Sequence, residues 1–317
     1  MKRTPHFLGL GPSWRRSPVR PLVCAAVAAT LAGYLLALPV TAQAAVPVPA
    51  LDTPSQQAEI AVTPGGFTAP DVLRAGAVTF RVRSDDPQGA WIGLVRLRPG
   101  VSLERYLHDL ERAMGDDPVA SLAGGEAIAQ DVEMLGGAAV ARVPAQVTLR
   151  VTPGTYHLVD FRDVGLPDLA ARVRTVRVLP GPVPAGTRPP GLRSTARVIL
   201  RDGVFEAPAV LDGTEAVRVE NRSRQHNEAM LVPVRAGVTL ADLDAFFADV
   251  DAGRRPDGSP FTGGPTGVVP LSPGRSALLA TELPAEHYAL VTWVRDLETG
   301  RMFAAHGMRA LVTVVRG

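Results

Sequence analysis

The chain of 317 residues holds one cysteine, Cys24, and one lysine, Lys2, and both lie in its first 25 residues. Past that point there is no thiol, so no intrachain disulfide can staple the fold and packing alone must hold it. Aromatic residues are 5% of the chain, too few for a platform on which successive bases could stack. An excess of positive charge is missing too. The formal charge of +2 comes from 33 basic and 31 acidic residues. Five of the basic ones (Lys2, Arg3, Arg15, Arg16 and Arg20) precede Ala44, which leaves 28 against 31, or −3, for the rest. Nucleic acid is therefore not an expected partner.

Several catalytic signatures are also missing. Gly274-Arg-Ser276 lacks the closing glycine of a serine elbow. His226-Asn-Glu228 has the residues of a zinc-protease helix in the wrong order, and Gly263-Gly-Pro-Thr-Gly267 lacks the lysine of a phosphate loop. The expectation at this level is a protein that is not an enzyme.

What is present begins with an export pattern. Met1 to Pro21 is basic with no acid, Leu22 to Val40 is apolar, and Ala42-Gln-Ala44 is a small-x-small cleavage site. Residues 1–44 read as a signal peptide, with no membrane span left after cleavage and a destination outside the cytoplasm. Cys24 sits near the start of the apolar run, the wrong place for a lipid anchor. Residues 45–57 read as a flexible linker. Pro180 to Gly191 is so rich in Pro and Gly that residues 180–194 read as a second linker. It divides the chain into a domain over 58–179 and another over 195–317.

The two halves match each other in three blocks. Phe67-Thr-Ala-Pro70 matches Phe205-Glu-Ala-Pro208, and Leu94 to Leu103 matches Leu231 to Leu240 without a gap. Pro153 to Phe161 matches Pro284 to Trp293 with one insertion. Short alternating runs such as Val78 to Val82, Ala145 to Val151, Ala216 to Val219 and Ala310 to Val315 predict half-buried strands. The fold class is all-β: two tandem Greek-key sandwiches. Each is expected to carry one inserted helix, starting at Ser102 in the first and at Thr239, with Asp242 at N3, in the second. Asn221-Arg-Ser223 matches a glycosylation sequon.

The second half, over about 195–315, resembles cupredoxin-like domains of exported bacterial proteins. The likeness rests on the Asn221 to His226 turn and on Leu283 to Val314. That block holds Tyr288-Ala-Leu-Val-Thr-Trp293 and Ala305-His-Gly-Met308. Copper-binding members use two histidines, a cysteine and a weak methionine, soft donors suited to a copper that changes oxidation state. Carried over, the resemblance puts His226 at the first histidine, Thr292 at the cysteine, Phe303 at the second histidine and Met308 at the methionine. Thr292 and Phe303 are then vestigial ligand positions.

In the first half Gly89 stands opposite His226 and Asp160 opposite Thr292, which implies no metal there. The tandem layout is similar to that of copper oxidases and nitrite reductases, but no His-x-His pair exists. The resemblance thus implies a binding or structural protein with no resident cofactor. It would meet a protein or small-molecule partner outside the cytoplasm. The alternative is a copper-handling protein using His226, His306 and Met308, with Met302 a further thioether.

Overall fold

The structure, a computed structural model, describes residues 55–141, 143–181 and 194–316. The expected signal peptide and most of the Pro/Gly linker lie outside these residues. Among the described residues no helix is long and apolar enough to cross a membrane.

The first half contributes nine strands: β1 (Gln56–Thr63), β2 (Gly66–Thr68), β3 (Val72–Arg74), β4 (Gly76–Ser84), β5 (Ala90–Leu97), β6 (Val132–Val140), β7 (Ala145–Val151), β8 (Gly154–Asp160) and β9 (Arg174–Leu179). The second contributes β10 (Ser194–Arg201), β11 (Val204–Glu206), β12 (Val210–Asp212), β13 (Ala216–Asn221), β14 (Asn227–Pro233), β15 (Thr266–Leu271), β16 (Ser276–Thr281), β17 (His287–Val291) and β18 (Arg309–Val315). Strand β1 starts at Gln56, inside the stretch expected as linker.

The pairing of β1–β9 recurs in β10–β18. Strand β1 is antiparallel to β2 and parallel to β4, as β10 is to β11 and β13. Strand β8 lies between β5 and β9, as β17 lies between β14 and β18. The three matched sequence blocks fall on strands that hold the same place in each half. The halves belong to one compact unit, because both sheets run through it unbroken. Strand β7 pairs antiparallel with β16, and β6 with β15, giving sheets of eight and ten strands.

The joining registers are symmetric. Val147 lies opposite Phe80 in its half and Leu279 opposite Val217 in the other, and Val147 and Leu279 pair with each other. Gly267 pairs with Ala139 and Leu271 with Leu135, which centres the other seam on Ala138 opposite Val268. The strand pairing thus has a pseudo-twofold axis that crosses both sheets.

Alternation sorts side chains into layers. Ala58, Ile60 and Val62 of β1 enter the inner core between the sheets, with Phe80, Val147, Leu200, Leu231, Phe303 and Met308. Burying side chains of this size stabilises the fold by about 1.5–3 kcal/mol each.

A second core lies on the other face of the ten-stranded sheet, under helices. Val95, Val159, Met230, Val232 and Val291 supply the sheet side. Helix α1 (Leu103–Ala113), capped by Ser102, brings Tyr106, Leu107 and Leu110. The first half then departs from the expected single helix, because α2 (Pro118–Asp131) and the one-turn α3 (Leu169–Arg172) follow. Pro118 at the first turn and an Asp117 cap start α2. Its Gly124-Gly125 pair looks like a break in sequence but serves contact. A Cβ on Gly124 would fall 2.6 Å from the Asp109 carbonyl and 2.5 Å from the Ala113 nitrogen. The second half covers its outer face with α4 (Leu240–Asp251), whose Thr239 and Asp242 form a capping box, as the sequence predicts.

Candidate functional site

The candidate positions lie at one end of the second half, in the turn between β13 and β14 and in the segment from Thr292 to Met308. Thr292 is fully buried, and its hydroxyl accepts the Val294 N–H at 3.1 Å. The Val294 carbonyl accepts the Phe303 N–H at 3.0 Å, and the Phe303 carbonyl accepts the Met308 N–H at 3.0 Å. Met308 is fully buried, and its sulfur accepts from Asn227 Nδ2 at 3.2 Å. The Asn227 side-chain Oδ1 accepts the Glu228 N–H at 2.9 Å. Thr292, Phe303 and Met308 are thus joined in one hydrogen-bonded chain that ends on Asn227. This neighbour of His226 is the side chain that holds the methionine, and the ligand comparison did not single it out.

The histidines are placed differently. His226 is partly buried. Burial pushes its imidazole down to about 4, with the Val132 backbone of the first half opposing this and the Arg98 charge adding to it. His306 is exposed at the end of a 3-10 turn over Phe303–His306, before Gly307 at φ 107°. Met302 packs in the outer core and Met308 in the inner one. The structure does not gather Met302, His306 and Met308 at one point. Among the described residues no three His, Cys, Asp or Glu side chains form a metal-sized cluster.

The loop from Val294 to Met302 is fixed by residues that no motif singles out. Gln225 donates from Nε2 to the Arg295 carbonyl at 2.7 Å and accepts the Leu297 N–H at 3.0 Å. Asp251, at the end of α4, accepts the Met302 N–H at 2.7 Å and pairs with Arg301 at 2.9 Å and Arg295 at 3.3 Å. Burial alone would raise the Asp251 carboxyl. The Met302 N–H and the two arginines outweigh it and hold the group below its ordinary value. Asn221 is 1% exposed and donates from Nδ2 to the carbonyls of Leu271 and Gln225. The sequon match is therefore a buried turn anchor and not an accessible glycan acceptor.

Glu228 is a carboxylate inside a strand that is buried throughout. Burial pushes it up to about 7, against the Trp293 N–H that it accepts at 2.8 Å. The first half mirrors this with the acid on the other strand: Asp160 of β8 accepts the Trp91 N–H of β5 at 3.1 Å. Asp160 also binds Arg162, which reaches Asp86 at 3.3 Å. The Trp91 and Trp293 rings stand 6.4 Å apart. At Gly89, the place of His226, φ is 82° and a Cβ would lie 2.2 Å from the Val140 carbonyl. No side chain fits there.

No family model matches the chain, and no curated protein does. Among solved structures it is similar to a dithionite-reduced auracyanin from Roseiflexus castenholzii. Identity is 15%, with 38% of this chain and 94% of that one covered and a TM-score of 0.22. It is also similar to a copper-containing nitrite reductase from Thermus scotoductus, at 13% identity, 82% and 61% coverage and a TM-score of 0.23. A multicopper oxidase matches at 12% identity, 82% and 88% coverage and a TM-score of 0.21. At such scores no property of those proteins passes to this chain, and the all-β, two-sheet fold rests on its own strand pairing.

One expectation is corrected. The chain was expected not to be an enzyme, yet two of these three similar structures are a reductase and an oxidase. The likeness does not separate catalysts from binding proteins. The absent motifs exclude particular chemistries only: the serine elbow, the zinc-protease helix and the phosphate loop.

Proposed function

We propose that this chain acts outside the cytoplasm as a binding protein, on a cupredoxin-like double sandwich that does not use type 1 copper. The observation that carries the reading is the state of the four ligand-equivalent positions. A hydroxyl replaces the thiolate, and Thr292 cannot supply the soft anionic donor that such a centre needs. Phe303 has no donor atom. The Met308 sulfur is engaged by Asn227. The donor set does not fit a type 1 centre. The signal pattern of residues 1–44 supports the location. N-terminal sequencing of the exported protein is expected to begin at Ala45.

Copper titration of the mature protein tests the rest. The expected result is no thiolate-to-copper absorption and no copper kept through dialysis. Stoichiometric copper that is lost in both His226→Ala and Met308→Ala would overturn it in favour of copper handling. Thr292→Cys with Phe303→His checks the positions themselves. If they are right, the folded double variant takes up Cu(II) with a thiolate absorption band.

A further inference from the structure

We infer that the outward face of the eight-stranded sheet is the docking surface for residues 182–193, the Pro- and Gly-rich stretch between the halves, which crosses it as a diagonal strap. Among the described residues the helices α1 to α4 pack in the outer core on the ten-stranded sheet and leave this face bare. Gln57, Glu59, Arg81, Arg83 and Arg197 are accordingly exposed on it. A strip through its middle is not. Ala77 is 3% exposed, Thr79 0%, Thr148 2%, Leu278 2% and Ala216 1%. These five point away from the inner core, since their neighbours Val78, Val147, Leu279 and Val217 fill it. The hydroxyls of Ser55, Thr79 and Thr148 stand in a row, 2.7 Å apart at each step, the pairing that hydroxyls shut off from water need. Leu278 and Ala216 form a small apolar cluster of their own.

The strip begins where residues 182–193 leave the first half and ends where they enter the second. Pro180 is held beside the start of β4. Its carbonyl accepts from Arg74 Nη1 at 3.1 Å, and the Leu179 carbonyl accepts the Ala75 N–H at 2.9 Å. Ala77 follows two residues on. At the far end Ala216 pairs with Ser194, the first residue of β10. Between these ends Thr79 pairs with Thr148, and Thr148 with Leu278 across the seam of β7 and β16. Strand β10 lies four strand spacings from β4 and starts level with Arg81, so the straight path is about 25 Å. Twelve residues in the extended form that proline favours reach about 37 Å. Four of these twelve are proline. Such a backbone makes no internal hydrogen bonds, so its carbonyls suit a face bordered by Arg150 and Arg218, which pair with Ala77 and Leu278.

With no thiol past Cys24, cysteine labelling tests this on the full mature chain. Leu278→Cys should react with a maleimide at least tenfold more slowly than Arg81→Cys on the same face. Replacing Pro182, Val183, Pro184, Pro189 and Pro190 by Gly or Ser, at unchanged length, should raise the Leu278→Cys rate at least fivefold. Ala277→Cys, in the inner core, should stay unreactive in that background. If it reacts too, the exchange has unfolded the protein, and the milder Val183→Gly with Pro184→Gly decides by the same ratio. The inference is overturned if Leu278→Cys reacts as fast as Arg81→Cys in the unexchanged chain, or if the exchange leaves its rate unchanged. It is equally overturned if removal of residues 45–54, which lead to Ser55 at the same face, raises the rate in place of the exchange.

Discussion

The two halves share one strand diagram and differ at the end that holds the turn from the fourth strand to the fifth and the segment after the eighth. In the first half that end is closed by ions: Asp160 holds Arg162, which also reaches Asp86, beside a glycine that admits no side chain. In the second it is closed by neutral contacts among Thr292, Phe303, Met308 and Asn227. The pairing is kept by apolar side chains between the sheets, which read as period two in both halves. The ends carry no such constraint, so unlike chemistries close the same backbone.

Exchanging residues between halves breaks this comparison where it is strongest. Asp160→Thr, which installs the second half's residue, leaves Arg162 with Asp86 alone. It should cost about 3–5 kcal/mol in urea unfolding. Next, Gly89→His should cost about 3 kcal/mol or more, because backbone and φ both oppose a side chain. The reverse change, His226→Gly, should cost only about 1 kcal/mol. Equal costs for the two would show that the ends are not as different as the contacts imply.

Glu228 gives the third effect. Its folded value of about 7 lies above the ordinary 4.5, so the folded state holds its proton more tightly. The stability it contributes is full below pH 4.5 and lost as pH rises through 7, on the order of 3 kcal/mol in all. His226 has the opposite sign. Its value is lowered from 6.5 to about 4, so its contribution is full above 6.5 and lost as pH falls through 4. Thermal melting from pH 5 to 8 should therefore flatten on the alkaline side in Glu228→Gln. An unchanged slope would remove Glu228 from the account. Smaller than the Glu228 effect is that of Met308→Leu, which keeps the volume but strips Asn227 Nδ2 of its acceptor. It should lower stability by about 1–2 kcal/mol.

The sequence made the two-sheet fold legible because alternation and Gly/Pro boundaries are local signals. It also placed the starts of α1 and α4, since Ser102 and the Thr239–Asp242 box act within three residues. Helix α2 was hidden by Gly124-Gly125, whose reason is a neighbouring helix. At the candidate end, the resemblance put Thr292, Phe303 and Met308 at ligand positions. It could not show that Asn227 reaches a sulfur 81 residues away. Nor could it show that Gln225 and Asp251 fix one loop from two sides. Such partners are set by packing and leave no periodic trace. Glu228 did leave one, as an acid inside an apolar run.

The symmetric seam has a consequence for either half on its own. Once the sheets are joined, their outer edges are β2, β11, β3 and β12, each three residues long. Edges that short offer a neighbouring chain little to bind. A single half would instead bare two long strands, β6 and β7 or β15 and β16, six to nine residues each. Because each pairs with its own counterpart, the bared surface would already be complementary to a copy of itself. A proteolytic or truncated half should therefore self-associate, and the linked chain keeps that appetite satisfied within one molecule.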